Sequence, residues 1–321
     1  VGRARPTAGG IGERLKDARN LGLVLVLVVL FVIGSFSSDA FLEWNNIVTI
    51  LTLASVIGVV SIGATFVITG GGIDLSVGSV LGLATVWCTT SATQSYGPWA
   101  MAACAVIVGL ACGLVNGVLI AYGDLVPFIV TLAMLVGAQG LAELISDRQS
   151  QLLMQPGLSD LLFRRIIGLP VIVYMFAIVA ALGWFVLNRT TFGARTIAVG
   201  GNKEAARLSG IDVRRHTVLL YMLSGLCVGV AAIMTVAQTN TGASTLGTLY
   251  ELDAIAAVIV GGTLLSGGRG TIVGTVLGVL VFTTITDLFI LNGLDSPIQK
   301  LAKGAIIVGA VLLQRRTQRA D

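Results

Sequence analysis

Apolar runs close to membrane thickness alternate along the chain with short polar breaks. Residues 21–36 form a solid apolar run. Nine more follow at roughly 47–69, 76–93, 98–121, 127–145, 170–188, 215–237, 251–265, 272–291 and 298–314. A helix needs about 20 residues to cross the hydrocarbon, with about 17–25 the usual range. The pattern therefore predicts an all-α integral membrane protein of about ten transmembrane helices. Glycines interrupt 70–75 and 251–270, which predicts broken or partial helices there. The largest polar island inside the apolar sequence is 189–214.

Composition agrees with the pattern. The chain is 55% hydrophobic and 11% charged, with 41 glycines; its mean hydropathy is +0.94. A soluble domain carries about 25% charged residues, so so few charges could not cover a water-facing surface. Abundant glycine fits membrane helices that approach closely.

The basic pI near 9.0 is explained by where the charges lie. With the N-terminus inside and the runs alternating, the inside segments hold 15 of the 20 basic residues, and the outside loops hold Arg148, Arg164 and Arg165. That excess is what the positive-inside rule expects. It predicts both termini cytoplasmic and requires no nucleic-acid partner. The expected organisation is a cytoplasmic segment at 1–20, a membrane domain at 21–314 with a cytoplasmic loop at 189–214, and a tail at 315–321. The expected outer loops are 37–46, 146–169 and 238–250. The basic start followed by 21–36 has the outline of a signal peptide. No small-x-small cleavage site follows, so an uncleaved first span is expected.

Cysteines 88, 104, 112 and 227 fall inside apolar runs with no CxxC pair. They read as small buried hydrophobes. His216 is the only histidine, so no metal site built on several histidines is possible.

Within the island, Gly200–Ile211 reads as a capped helix of about two turns. Gly200 and Gly201 permit a turn. Asn202 is a good N-cap, Glu204 suits the first turn, Ala205 and Ala206 favour helix, and Gly210 is a fitting stop. Two readings stand open on these grounds: a solvated loop tightened by good caps, or a helix on which another protein pushes.

The sequence Phe192-Gly193-Ala194-Arg195, followed by Gly200–Ile211, resembles the cytoplasmic loop of ribose-type permeases, the membrane subunits of ABC sugar importers. Four further stretches agree: Gly70–Ser79, Gly113–Gly117 with Val126–Leu132, Tyr250–Ala257, and Gly261–Gly270. The resemblance runs from about residue 45 onward. It departs where Val126 replaces a common second proline and where Thr263-Leu264-Leu265 replaces Thr-Ser-Leu. It implies two permease copies around a path, two docked ATPases, and a periplasmic or lipid-anchored sugar-binding protein. It also implies coupling to the ATPase through Asn202, Glu204, Ala205, Ala206, Ser209, Gly210 and Ile211. No Gly-Lys dipeptide occurs in the sequence, so no Walker A loop can form within it. The chain is expected to hold no cofactor, ATP and Mg residing on the partner, and no metal. It is expected to be a pathway subunit, not an enzyme.

Gly72, Asp74, Ser76, Asn116, Gly262 and Thr263 are candidates for the path or its gate. A carboxylate among apolar spans faces a cavity or a partner. Asp74 therefore either caps a helix at the cytoplasmic edge or hydrogen-bonds a hydroxyl within a broken helix. Glu251 and Asp253 fall near an expected outer end and are candidates to contact the binding protein. Lys300 and Lys303 are expected to pair with Asp295 or Asp287, or to reach headgroups. GGxxLS occurs at Gly71–Ser76 and Gly261–Ser266, a weak sign of a repeat. The alternative function is a secondary transporter or channel that uses the intramembrane acids.

Overall fold

The computed structural model describes residues 8–318. The first seven residues of the expected N-terminal segment and the end of the expected tail lie outside them. Helices α1 (Ala8–Ser37), α2 (Trp44–Thr69), α3 (Val77–Cys88), α4 (Ser91–Gln94), α5 (Pro98–Ala121), α6 (Pro127–Ser146) and α7 (Pro156–Phe163) form the first part. Helices α8 (Val171–Arg189), α9 (Thr191–Gly201), α10 (Lys203–Leu208), α11 (Val213–Thr239), α12 (Tyr250–Val260), α13 (Ile272–Leu291) and α14 (Ser296–Gln318) follow.

Among the described residues, seven helices are long and apolar enough to cross a membrane: α1 over Asn20–Ser37, then α2, α5, α6, α8, α11 and α13. α14 covers the run expected at 298–314. Helix α1 starts at Ala8, so the helix continues back into the polar segment expected at 1–20.

Two expected spans are corrected. The runs 76–93 and 251–265 become α3, of 12 residues, and α12, of 11 residues. At 1.5 Å per residue these reach about 16–18 Å, roughly half of the 30 Å hydrocarbon. Beyond α3 the run turns into the short α4, and beyond α12 it continues as the non-helical 261–265 segment, buried or half-buried within the bundle. Irregular backbone at membrane depth is tolerated only in such surroundings.

Helices α2 and α11 form the centre and pack directly together. A Cβ on Gly63 of α2 would lie 3.0 Å from Ser224 and Cys227 of α11. Along its other side α11 meets α5 through glycines, Gly225 against Gly109 and Val218 against Gly117. Both contacts leave no room for a methyl group, which explains why small residues repeat on these faces.

The order of elements occurs twice: long helix, non-helical stretch, half-helix, two long helices. The first set is α2, 70–76, α3, α5 and α6; the second is α11, 240–249, α12, α13 and α14. Each half-helix packs against the long central helix of the other set, α3 on α11 and α12 on α2. The two GGxxLS stretches do not coincide within this repeat. The left-handed residue ending α2 is Gly71, the first glycine of its motif, whereas that ending α12 is Gly262, the second.

The connecting segments gather at two poles. At one, β1 (Gln151–Leu152) pairs antiparallel with a later strand at Thr241–Gly242. Thr89 Oγ1 donates to Gln151 there, and Arg165 donates to Asn45. A small hairpin joins β2 (Arg165–Ile166) and β3 (Leu169–Pro170), so Thr241–Gly242 is β4. The three expected outer loops thus share one pole, although residues 242–249 turn inward from it. At the other pole lie 69–72, α9, α10 and 261–271.

Candidate coupling and gating site

Helix α10 has the caps its sequence requires. Asn202 Oδ1 accepts the Ala205 amide at 3.0 Å, and Ser209 Oγ donates to the Ala205 carbonyl at 2.8 Å. Gly210 has φ +83°. Its amide donates to Arg207 O, while Ile211 donates to Ala206 O. This pair of bonds defines a Schellman stop. Glu204 and Arg207 pair at 3.0 Å on the solvent side. Only Ala206 is buried in α10; Leu208 is 80% exposed. The helix is held to the body at its ends and presented outward.

The expected turn at Gly200–Gly201 is corrected. Both residues end α9, an 11-residue helix that the sequence pattern did not reveal, and neither has positive φ. Its signal was the spacing of Gly193, Thr196 and Val199, the three residues α9 buries. Gly200 is needed for proximity: a Cβ there would overlap the Thr69 carbonyl. The Gly268 amide donates to that same carbonyl at 2.9 Å. A Cβ on Gly267 would lie 2.8 Å from the Gly71 Cα and 2.7 Å from the Gly200 carbonyl. Three backbones therefore meet without side chains between them: the end of α2, the end of α9, and the 261–271 loop. His216 ties α9 to the start of α11, with Nε2 2.9 Å from Thr196 Oγ1 and its ring against Phe192.

A second cluster lies deeper. Asp74 is buried on the extended stretch between α2 and α3. It does not cap α3: Oδ1 accepts the Ser76 amide and hydroxyl at 3.0 and 2.6 Å, and Oδ2 accepts Ser224 Oγ at 3.0 Å. Asn116 Nδ2 donates to Ser76 Oγ at 3.0 Å, leaving its buried Oδ1 without a partner. Gly72 sits under the Tyr221 hydroxyl, which donates to Ile73 O. So Gly72, Asp74, Ser76 and Asn116 come together, as one network joining α5, α11 and the 70–76 stretch. Gly262 and Thr263 stand apart from it, in the Schellman stop of α12, where Thr263 donates to Val258 O.

Glu251 and Asp253 are not at the outer end expected of them. The chain from Gly242 to Gly247 passes back along α3: a Cβ on Gly82 would meet Ser244 O at 2.8 Å, and one on Gly78 would overlap Gly247 O and the Glu251 carboxylate. The first turn of α12 thus lies beside the first turn of α3, about 18 Å from the pole of the β1–β4 pair. Asp253 there accepts Lys303 Nζ at 2.8 Å in a mostly buried pair. The pairing replaces the expected partners of Lys303. Asp287 instead accepts Asn46 Nδ2. Among the described residues no cluster of His, Cys, Asp and Glu could hold a metal ion.

The chain matches a family model described as branched-chain amino acid transport system / permease component over residues 46–313. It is 39% identical over 304 residues to the ribose import permease protein of Bacillus subtilis, covering 93% of both chains. It is 36% identical over 299 residues to that of Escherichia coli K12, covering 92% of this chain and 93% of that one. It is 34% identical over 315 residues to the galactose/methyl galactoside import permease protein of E. coli K12, covering 91% of this chain and 93% of the relative. No solved structure matches. Agreement across nearly the full length, with the broken helices and the capped polar helix both inside the matched region, places the chain in the permease-component family, among its ribose-type sugar permeases.

Proposed function

We propose that this chain is the membrane-spanning subunit of an ABC importer that carries a monosaccharide or similar polyol inward across the bacterial cytoplasmic membrane. A separate ATPase, holding ATP and Mg, docks on α10. A periplasmic or lipid-anchored binding protein delivers the sugar at the opposite pole, and a second permease copy completes the path. Both termini are cytoplasmic, and the ten membrane elements are seven full spans, two half-helices and α14. The full-length likeness to ribose and galactose import permeases supports the substrate class.

One observation carries the coupling role: α10 is exposed, while the adjoining α9 is wedged against the backbone ends of α2 and the 261–271 loop. A push on α10 is transmitted through Gly200 to the chain entering 70–76 and to the chain leaving α12. Two interfaces without side chains to deform act as a hinge between discrete packings, the bistable arrangement a two-state gate requires. The differential contacts of the ATPase with α10 in its two nucleotide states then set the population of each.

The test is reconstitution of this chain with its ATPase and binding protein in proteoliposomes. Uptake of labelled ribose or galactose is expected to require ATP. The substitution Glu204→Arg is expected to lower that uptake at least about tenfold, equivalent to 1.4 kcal/mol, with normal membrane insertion. Sugar accumulation by this chain alone, with no nucleotide, would refute the reading in favour of a secondary transporter.

A further inference from the structure

The re-entrant segments border a cleft of about 150 Å³ between α3, α6, the 240–249 stretch and α12, open on the side where Gln139 and Thr248 are exposed. Ser79, Gln139, Ser244, Thr248 and Glu251 supply its polar lining. The side chains of Ser79, Gln139 and Ser244 form no hydrogen bond with any described residue. Gln139 lies seven residues inside the end of α6, about 10 Å below it. An amide at that depth facing lipid without a partner is costly. Such groups facing a polar solute are not.

The lining also constrains what the solute is. A hydroxyl, an amide and a carboxylate together offer both donors and acceptors. Neither half-helix bordering the cleft has a side-chain cap, the flanking residues being Ser76 and Leu249. The first-turn amides of Tyr250, Leu252 and Asp253 are taken by Gly247 O and Leu249 O, so α12 adds its dipole rather than free donors. The positive helix starts disfavour a cation, and the Glu251 carboxylate disfavours an anion. What remains is a neutral molecule rich in hydroxyls. A cavity of about 150 Å³ takes one six-membered ring, so one sugar ring fits and a disaccharide does not.

We propose that this cleft is the constriction where the solute touches the permease, with Gln139, Ser79, Ser244 and Glu251 hydrogen-bonding one sugar ring. The proposal rests on the transport function above and names its contact site. It is tested in the complete transporter. Q139L is expected to cut ATP-driven monosaccharide uptake at least about tenfold. Q139N, which keeps the amide, is expected to recover part of the rate and to change the ratio of ribose to galactose uptake by at least about threefold. L144A, on the same helix but outside the cleft, is expected to import like the wild type. In a background lacking the four native cysteines, S244C is expected to react with a neutral hydrophilic thiol reagent, more slowly when a monosaccharide is present. Wild-type import by Q139L overturns the proposal, as does equal loss in Q139L and Q139N with an unchanged sugar ratio, or an S244C that sugar does not protect. A wild-type complex that hydrolyses ATP yet imports no monosaccharide overturns the function itself, a result distinct from these.

Discussion

Gly200 and Gly201 are adjacent, and the structure asks different things of them. A methyl group on Gly200 would overlap the Thr69 carbonyl, whereas the nearest atom to one on Gly201 is the Gly268 Cα at 4.0 Å. Gly200→Ala is therefore expected to destabilise the inner pole by about 1–3 kcal/mol, the usual penalty for overpacking. Gly201→Ala should be nearly neutral. Thermal unfolding of the detergent-solubilised protein separates the two. The sequence marked both glycines as a turn, because composition shows that glycine is required but not whether for φ or for proximity. Asp74 and Asn116 were legible as polar residues in apolar surroundings, and the fold joins them through Ser76. The pairing of Lys303 with Asp253 was not legible. It depends on the depth of α12, which follows from the inward path of 242–249. Removing one member of this partly buried pair strands the other, a loss of about 1–3 kcal/mol. Lys303→Met should accordingly lower the melting temperature clearly, and Lys303→Met with Asp253→Leu should restore most of it.

Elements show the same division between what local chemistry fixes and what packing fixes. Helix α10 was legible because its start and stop are written in its own residues: Asn202 caps it and Gly210 takes the left-handed turn. The half-helices were legible only in part: glycines marked breaks at 70–75 and 251–270, but the segment 242–249 reads as outer loop, with no local sign that it turns inward. Its path is set by the Gly78 and Gly82 groove on α3, a feature visible only once the elements are in place. The independence of α10 gives a prediction. Asn202→Ala removes a cap, at about 1 kcal/mol, and Gly210→Ala forces a left-handed alanine, at about 1–2 kcal/mol. Since α10 buries only Ala206, the double variant should melt this helix and leave the bundle folded. Hydrogen exchange should accelerate at 203–209 alone, while ATP-driven uptake falls. Protected amides in the double variant would refute the idea that the caps hold the helix.

For the molecule as a whole, the repeated order of long helix, re-entrant stretch and half-helix brings the starts of α3 and α12 together. A path through such an arrangement has its narrowest point where the two re-entrant stretches meet, and its levers at the pole where their helices end. The fold groups the loops into two poles without a membrane, and charge then orients them. Arg195, Lys203, Arg207, Arg214 and Arg215 gather at the pole of α10, whereas Arg148, Arg164 and Arg165 gather at the other. Basic residues stay on the side from which a membrane protein inserts, so the α10 pole should face the cytoplasm. Single cysteines at Lys203 and Asp160, introduced after the native four are replaced, test this in sealed right-side-out vesicles. A membrane-impermeant thiol reagent should modify the Asp160 position at once and the Lys203 position only after the vesicles are opened. The reverse order would put the exposed helix outside, where no cytoplasmic ATPase could reach it. The transmission from α10 through Gly200 to the half-helices would then have no source of work.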